Sequence, residues 1–338
     1  MGRLSFFLTI LLSPGFLGYA QQEPLLYIEN GGTRAGILSD VGGRIVYLSY
    51  RGSDNLLKSD PGLWNEDNDK RPVIGPEAGW KAYNGHVVWV GPQSEWWIHQ
   101  DLNEQRKQKR AVWPPDPYLV YGQYEILEKT RSSLIISGPE SKISGLKLTK
   151  KIRIEDDGSL YFEVEAVNTR RVAVEWDLWL NTRVNGYTLA YVKVDSSNDV
   201  RIKSRSSKES DSVRWAICED YFYYLPEPPP KGKEQRSSKA FITPANYRIH
   251  AFSDKYCLSL ILPEVRPEEV HPEQSIVEIY DYTSEDPENA LMELEFHAPY
   301  KLLQPGELMK TWQKWKISRY RGRDNPNAHI KYLKKQEN

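Results

Sequence analysis

The densest cluster of aromatic side chains in this sequence lies between Trp80 and Trp97, where the chain reads WKAYNGHVVWVGPQSEWW. Flat indole faces beside a few hydrogen-bonding groups suit a pyranose ring, which stacks its C–H face on the indole while its hydroxyls bond to polar side chains. We therefore predict a carbohydrate site in this segment. The predicted substrate contacts are Trp80, Trp89, Glu95 and Trp96. The alternative is that these tryptophans form the core of a β-sheet, since Trp favours strands and is usually buried.

Two carboxylates and an imidazole alternate with apolar residues in the run LMELEFH, as Glu293, Glu295 and His297. Residues two apart in a strand point to the same face of the sheet, so we predict that these three share one face. They could supply an acid and a base or bind a cation, or they could be the solvated face of an antiparallel sheet. Glu293 and Glu295 are the candidate catalytic carboxylates, and His297 is a candidate substrate contact.

His86 is the histidine that we single out as a candidate catalytic acid. It follows the turn pair Asn84-Gly85 and precedes the apolar run VVWV, which predicts a position at the rim of a sheet. A neutral imidazole at a rim could donate a proton near neutral pH. The alternative is a surface histidine without a partner.

A further aromatic side chain and two charged side chains lie on the candidate strand that begins at Val172. Asp177, Trp179 and Arg183 occupy every second or fourth position, so they point to one face of an extended strand. If that face lines a cleft, the indole provides a stacking surface between an acid and a base. We predict Trp179 and Arg183 as substrate contacts.

The elements that must position these groups are β-strands. Residues Leu146–Glu155 and Leu160–Ala166 alternate apolar with polar side chains on either side of Asp156-Asp157-Gly158, which predicts a β-hairpin. Similar runs recur along the chain, whereas helical periodicity is confined to Asp101–Ala111 and His329–Lys335. Many antiparallel strands with few short helices predict an all-β sandwich of two large sheets.

Two polar segments interrupt this pattern. The stretch Leu225–Ser238 reads LPEPPPKGKEQRSS, a composition that favours a disordered excursion. The basic run Arg201–Lys208, RIKSRSSK, has no aromatic stacking partner nearby in the sequence, and we interpret it as a solvated loop. The formal net charge of −1 gives no electrostatic reason to expect nucleic acid or an anionic membrane as a partner.

The cysteine pattern leaves open whether a disulfide forms, and the sequence lacks the common motifs of cofactor and metal sites. Cys218 and Cys257 could form a disulfide in an exported chain, or they could be buried free thiols, since both lie in apolar runs. The sequence has no glycine-rich phosphate loop, nucleophile elbow, zinc histidine pair or Cys-x-x-Cys pattern. We therefore expect neither a cofactor nor a bound metal.

The N-terminal residues have the pattern of a signal peptide. Arg3 supplies a positive charge, Phe6–Leu12 supplies the apolar stretch, and Gly18-Tyr19-Ala20 supplies a small-x-small cleavage site. We expect residues 1–20 to be removed on export, leaving a periplasmic or extracellular protein without a membrane anchor. Residues 21–318 then form a single β domain, and residues 319–338 form a polar, basic, peripheral tail.

Three stretches together resemble the galactose mutarotase-like superfamily, in particular its exported bacterial members that are classed as domains of unknown function. Thr33–Leu57 is similar to the opening strands of aldose epimerases, with their glycine turn at Gly42-Gly43. Gly85–Trp97 is similar to a Gly-His-x-x-Trp-x-x-Pro-Glu stretch, with Gln93 in place of the acid. Leu291–Glu307 is similar to the acidic strand and Pro-Gly turn near the end of such domains. The resemblance covers most of residues 26–317.

This resemblance implies a β-supersandwich of two large, mostly antiparallel sheets, with a sugar site on one sheet that includes Glu293 or Glu295. Mutarotases use a histidine as general acid and a carboxylate as general base. The matching region here, Asn168–Gly186, contains no histidine, and Arg183 lies near the expected position. An arginine stays protonated and cannot shuttle a proton near neutral pH, whereas it can still bind sugar hydroxyls or a carboxylate.

The sequence thus predicts an exported carbohydrate-binding protein, accessory to saccharide use, whose partner is a carbohydrate. One alternative is a sugar-active enzyme, an epimerase, lyase or hydrolase, in which His86 acts with Glu293 or Glu295. The other alternative is a structural protein of the cell envelope. The identity of the sugar and the oligomeric state do not follow from the sequence.

Overall fold

The computed structural model describes residues 25–65, 70–204, 213–233, 235–253 and 255–337. The predicted signal peptide lies outside these described residues. Within them the chain is built mainly of strands, with three short α-helices. The helices are α1 (Glu104–Gln108), α2 (Pro117–Tyr121) and α3 (Pro326–Glu337). None of the helices in these ranges is long and apolar enough to cross a bilayer.

The strands follow one another along the whole described chain. The first ten are β1 (Leu26–Asn30), β2 (Thr33–Leu38), β3 (Arg44–Tyr50), β4 (His86–Gly91), β5 (Glu125–Lys129), β6 (Ser133–Glu140), β7 (Leu146–Ile154), β8 (Leu160–Asn168), β9 (Val174–Asn185) and β10 (Leu189–Lys193). The others are β11 (Val200–Ser204), β12 (Arg214–Cys218), β13 (Tyr221–Leu225), β14 (Gln235–Ile242), β15 (Arg248–Ser253), β16 (Tyr256–Ile261), β17 (Val277–Ser284), β18 (Leu291–His297), β19 (Lys301–Leu303) and β20 (Leu308–Arg319).

These strands form two antiparallel sheets, which confirms the predicted fold class. The first sheet has the order β1-β2-β3-β4-β9-β18-β17-β14-β11, and β19 pairs with β9. The second sheet has the order β12-β13-β10-β15-β16-β20-β8-β7-β6-β5. The chain crosses between the sheets several times, so strands that are neighbours in the first sheet are distant in sequence. The first sheet therefore assembles its central strands from residues 86–91, 174–185, 277–284 and 291–297.

The predicted hairpin is formed by β7 and β8, which pair from Leu146↔Asn168 to Ile154↔Leu160. The apolar residues of both strands are buried, while alternate polar residues are partly exposed. Gly158 in the turn has φ +79°, a left-handed conformation that glycine adopts without steric cost. Local alternation and turn chemistry are sufficient to specify this unit.

The core lies between the inner faces of the two sheets. His86 contributes to it from β4, and its ring centroid lies 4.5 Å from that of Phe162 on β8 and 4.9 Å from that of Trp315 on β20. The other face of the first sheet, called the outer face below, points away from the second sheet. Alternate residues on each central strand therefore divide between the apolar core and the outer face.

Two expectations about polar segments are wrong. The chain beyond residue 319 is not a peripheral tail, because α3 packs on the second sheet with Ile330 and Leu333 buried. The predicted excursion Leu225–Ser238 ends in a strand, since β14 begins at Gln235 and pairs with β17 along its whole length. In both cases tertiary contacts override a polar composition. Cys218 and Cys257 are both free thiols, so the disulfide is absent.

Candidate functional site

Strand register gathers polar side chains at the centre of the outer face. On β9 and β18 the directly opposite pairs are Arg183↔Glu293, Asn181↔Glu295 and Trp179↔His297. The predicted shared face of Glu293, Glu295 and His297 is therefore confirmed, because each contacts an outer-face residue of β9. Arg183 Nε donates to Glu293 Oε1 at 2.7 Å, and Asn181 Nδ2 donates to Glu295 Oε1 at 3.0 Å.

The next two strands, β17 and β14, extend the same face. Glu278 lies opposite Glu295 on β18 and opposite Phe241 on β14, and Lys239 lies opposite Tyr280. These residues add an acid, a base and two rings to the polar centre. Sequence separation between β9 and β14 or β17 is large, so only the sheet order brings these side chains together.

The ammonium of Lys239 is the centre of this group. Its Nζ lies 2.6 Å from Glu278 Oε2 and 2.7 Å from Glu295 Oε2. It also lies 4.7 Å from the centroid of the Trp179 ring, within reach of a cation–π interaction. Glu278 and Glu295 are almost fully buried, whereas the Lys239 side chain is 21% exposed. Lys239 is therefore the member of the group that a ligand can approach.

His297 links the acids on the other side of the group. Its Nδ1 lies 3.1 Å from Asp177 Oδ2, and its Nε2 lies 3.5 Å from Glu278 Oε1. The side-chain amide of Gln274 also lies 2.7 Å from Nδ1. Although burial opposes protonation, Glu278 and Asp177 outweigh it and raise the pKa of His297 to about 9. His297 is therefore an imidazolium at neutral pH.

The two central glutamates have opposite pKa shifts. Burial alone would raise the pKa of Glu278, but Lys239 and His297 outweigh it and lower that pKa to about 2. Burial raises the pKa of Glu295 well above its usual value, since the attraction of Lys239 is offset by repulsion from Glu293 and Glu278. Adjacent carboxyls thus differ in their preferred protonation state.

Three groups at this centre have the spacing of a metal site. Ligand atoms of Glu278, Glu295 and His297 all lie within 4.8 Å of one another. However, the Lys239 ammonium is at hydrogen-bonding distance from both carboxylates and supplies the positive charge that they require. The arrangement fits an internal ion-pair network better than a divalent cation, which prefers an all-oxygen or imidazole shell without a competing ammonium.

A cleft of about 830 Å³ opens above Lys239 on the outer face. Its walls come from β14, from edge strand β11 and from the loops that follow β4 and precede β17. The lining side chains include Trp113, Trp179, Arg201, Lys203, Lys239 and Phe241, together with Glu273, Gln274, Glu278 and Tyr280. Aromatic rings and charged groups therefore face the same space, and this size suits one or a few sugar rings.

Apart from Gln93, which lines the cleft, the aromatic segment Trp80–Trp97 lies behind it. Trp89 and Trp96 are only 4% and 2% exposed, and their rings pack against Trp179 at 4.9 and 5.9 Å. Trp113, which is 44% exposed, presents the accessible indole. It contacts Trp80 at 4.8 Å between centroids. The prediction that Trp89 and Trp96 contact a substrate is thus wrong, because both rings are buried in a cluster of tryptophans from strands and loops, where Trp89 packs edge-to-face on Trp96 and Trp179.

His86 does not lie at a rim and does not join the acids, so that prediction is wrong as well. The side chain is 1% exposed and points into the core, opposite to the face that carries Glu293 and Glu295. Its Nδ1 lies 2.9 Å from Thr182 Oγ1. Burial, with Lys150 and Arg183 nearby, holds the pKa of His86 well below its usual value. A group on the opposite face cannot share a substrate with Glu293.

The other predicted contacts occupy different places around the site. Trp179 lines the cleft. Arg183 is 2% exposed and lies beneath Trp80 and Trp89, with its Cζ 5.7 and 5.1 Å from their ring centroids. Glu95 lies outside the cleft lining and pairs with His99 at 3.0 Å. His297 is fully buried beneath the surface of the cleft.

Sequence reasoning missed several residues that line the cleft. Lys239 and Glu278 each stand alone as a charge in an apolar run, KAFI and VEIY, and an isolated charge within a strand was the available signal. Arg201 and Lys203 belong to the run interpreted as a solvated loop, yet they lie on strand β11. Trp113 gave no periodic signal, since it lies in the irregular sequence WPPDP.

Solved structures share this architecture at low sequence identity. The Slr1438 protein from Synechocystis sp. PCC 6803 is 11% identical with a TM-score of 0.56, and the alignment covers 94% of this chain and 99% of that chain. A galactose mutarotase-like protein from Lactobacillus casei ATCC 334 is 11% identical with a TM-score of 0.54, covering 87% and 100%. A TPR-domain containing protein from Parabacteroides distasonis ATCC 8503 is 14% identical with a TM-score of 0.53, covering 89% and 47%.

The resemblance inferred from the sequence is thus confirmed at the level of the fold. No curated protein matches the sequence. Residues 25–318 match the family model of DUF4380, a domain of unknown function. That range begins just before β1 and ends within β20, so it contains both sheets and the whole cleft. The chain therefore belongs to the DUF4380 family, and its fold is that of the galactose mutarotase-like proteins.

Proposed function

We propose that this protein binds a carbohydrate in the cleft above Lys239. The observation that carries the proposal is the ion network of Lys239, Glu278 and Glu295 placed directly under a cleft with aromatic walls. Burying charged groups costs free energy, and a fold of this size has ample apolar surface for stability without them. Charges kept in this position are better explained by ligand recognition than by folding.

The walls of the cleft match the two surfaces of a pyranose. Trp113 offers an apolar face on which C–H groups can stack, and Lys239 offers an ammonium for hydroxyl oxygens. Trp179 also lines the cleft, although it is only 3% exposed. One similar solved structure is that of a galactose mutarotase-like protein, which supports a saccharide ligand.

The protonation states favour binding over proton shuttling. A general acid–base catalyst works best with a pKa near the operating pH. The ion pairs instead lower the pKa of Glu278 to about 2 and raise that of His297 to about 9, and they also raise the pKa of Lys239. These three groups keep fixed charges across the neutral range. Fixed charges orient and hold a ligand without exchanging protons.

The test is a glycan array followed by titration of the hits, using the whole chain without residues 1–20. Trp113 and Trp179 line the cleft, so we expect a bound saccharide to change the intrinsic tryptophan emission in proportion to the calorimetric heat. Saturable binding by both readouts, with one site per chain, supports the proposal. If a correctly folded protein binds none of the neutral or acidic glycans, the carbohydrate assignment is wrong.

One observation favours a second function, proton transfer to a bound sugar. Glu278 and Glu295 are adjacent carboxyls with opposite pKa shifts, the arrangement that separates an acid from a base in many active sites. The rate of anomer interconversion of the array hits and the exchange of their C5 protons in D2O, both followed by NMR, test it. A Glu295→Gln variant that binds normally but loses the activity seen in the unaltered protein would support catalysis, and an unaltered protein that accelerates neither reaction would exclude it.

Export is part of the same proposal. Residues 1–20 carry the charge, apolar stretch and cleavage pattern of a signal peptide. Cell fractionation with mass spectrometry of the mature N-terminus tests it. A mature chain that begins near Gln21 in the periplasm or medium is the expected result, and a full-length cytoplasmic chain would contradict it.

A further inference from the structure

The edge strand β11 presents two unpaired cations to the cleft. Arg201 and Lys203 lie on its outer face, and both line the cleft. Both side chains are exposed, and neither forms an ion pair within the ranges that the structure describes. Val200, Ile202 and Ser204 alternate with them on the inner face. The side chains of Arg201 and Lys203 thus point to one face of the sheet, whereas side chains in a solvated loop would have no fixed orientation.

The position of Lys203 is unfavourable for the sheet itself. Lys203 lies directly opposite Lys239 in the pairing of β11 with β14, and like charges in opposite positions destabilise an antiparallel pair. Glu278 and Glu295 neutralise Lys239, but no acid of the described chain pairs with Lys203. The repulsion is therefore only partly compensated within the protein. An anion in the cleft would remove the remainder.

Arg201 is held in an orientation suited to an anion. Its Cζ lies 3.8 Å from the centroid of the Phe241 ring, on the residue directly opposite in β14. Stacking fixes the plane of the guanidinium and leaves its N–H edges free to donate two parallel hydrogen bonds. A planar group with two acceptor oxygens, such as a carboxylate or a sulfate ester, fits that fork.

The acids of the cleft do not cancel these charges. Glu278 is engaged by Lys239, and Glu273 accepts a hydrogen bond from Ser94 Oγ at 2.9 Å. The lining therefore carries the cations Arg201, Lys203 and Lys239 against two acids, and the excess positive charge lies at the β11 edge. Lysines on edge strands also discourage edge-to-edge association, but that role does not require stacking on a ring inside a cleft.

We propose that the saccharide bound in this cleft is anionic, with a carboxylate or a sulfate ester held by Arg201 and Lys203. The inference rests on the proposed carbohydrate binding and adds the class of the ligand. Lys239 and the rings then hold the sugar ring, and the β11 edge selects the charged substituent. Uronic acids and sulfated sugars share this chemistry, and the experiment below separates them.

The experiment is calorimetry with paired oligosaccharides that differ only in charge. The pairs are an oligogalacturonide with its carboxyl-reduced counterpart, an oligomannuronate with its carboxyl-reduced counterpart, and a sulfated galactan oligomer with its desulfated form. We expect the anionic member of at least one pair to bind about tenfold more tightly, with a preference that shrinks as salt is added. Preference for the uronates or for the sulfated oligomer identifies the group.

The test protein carries Arg201→Gln and Lys203→Gln together, and the matched control carries Lys129→Gln alone. Lys129 lies on β5, an exposed edge strand of the second sheet, so it tests the general effect of removing an edge lysine. We expect the double variant to lose the roughly tenfold preference, to keep its affinity for the neutral members and to unfold at a temperature no lower than that of the unaltered protein, because the repulsion between Lys203 and Lys239 is removed. The Lys129 variant keeps the preference.

Two outcomes overturn the inference in distinguishable ways. Equal affinity for both members of every pair, or a preference that survives in the double variant, contradicts the anionic ligand and leaves carbohydrate binding intact. A folded protein that binds no member of any pair and no glycan on the array contradicts both.

Discussion

Lys239 Nζ and Glu278 Oε2 lie 2.6 Å apart on adjacent strands of the first sheet, in the lining of the cleft. The pair joins β14 to β17, and Glu295 connects it to β18. A single ammonium thus contacts carboxyl groups from two strands. This relationship decides both the stability of the outer face and the charge that a ligand meets.

Replacing Lys239 by Met is expected to destabilise the fold by about 3 kcal/mol, because it removes the ammonium that both buried carboxyl groups contact. Chemical denaturation at pH 7 measures the free energy of unfolding. Lys129→Met is the matched control, since Lys129 is exposed and on an edge strand, and it should change that free energy by less than about 0.5 kcal/mol. A Lys239→Met protein as stable as the unaltered one would show that the ion pairs of Lys239 do not stabilise the fold.

His297 is expected to make stability fall with rising pH. Its pKa is raised from a usual value of 6.5 to about 9, so its stabilising contribution is complete below pH 6.5 and is lost as the pH rises through 9. Between pH 7.5 and 9 the loss should be on the order of 1 to 2 kcal/mol. His297→Gln should flatten this part of the pH profile of unfolding. A profile with the same slope in both proteins would contradict the imidazolium assigned to His297.

Trp113 is expected to contribute to saccharide binding. Its indole is 44% exposed at the cleft, so Trp113→Ala should weaken saccharide binding about tenfold through lost stacking. Trp215 is the matched control, because it is 45% exposed on β12 of the second sheet, away from the cleft. Calorimetry measures the affinities of Trp113→Ala and Trp215→Ala for the same glycan from the array. Equal affinities in the two variants would remove Trp113 from the site.

His86 is expected to affect stability and not binding. His86→Ala would leave a cavity between Phe162 and Trp315 and would remove the partner of the Thr182 hydroxyl, at a cost of about 2 to 4 kcal/mol. The variant should bind any cleft ligand with unchanged affinity at a temperature where it is folded. A folded His86→Ala protein that has lost ligand binding would show that His86 contributes to the binding site.

Within a strand, the sequence was a sufficient guide. Alternation predicted the β7–β8 hairpin and the common face of Glu293, Glu295 and His297, because side-chain direction in a strand depends only on position. The aromatic segment shows where such reasoning stops. Alternation assigned Trp89 to a face, but the exposure of that face depends on Trp80 and Trp113, which come from separate loops.

Which side chains meet on the outer face could not be derived from the alternation within single strands. Lys239 reaches Glu278 and Glu295 because β14, β17 and β18 are neighbours in the sheet. Sheet order depends on the total burial of both sheets and on crossovers between them, and no local pattern encodes it. The basic run at Arg201 shows the same limit, since its aromatic partner Phe241 lies forty positions away.

The sequence by itself determined an all-β chain of galactose mutarotase-like type, with its hairpin, most of its central strands and the alternation along each strand. Periodicity and turn chemistry are local, and a single strand already contains them. Only the tertiary structure decided which polar side chains meet, which tryptophan remains exposed and which face His86 occupies. Those outcomes depend on strand order and sheet packing, where residues far apart in sequence compete for the same buried space.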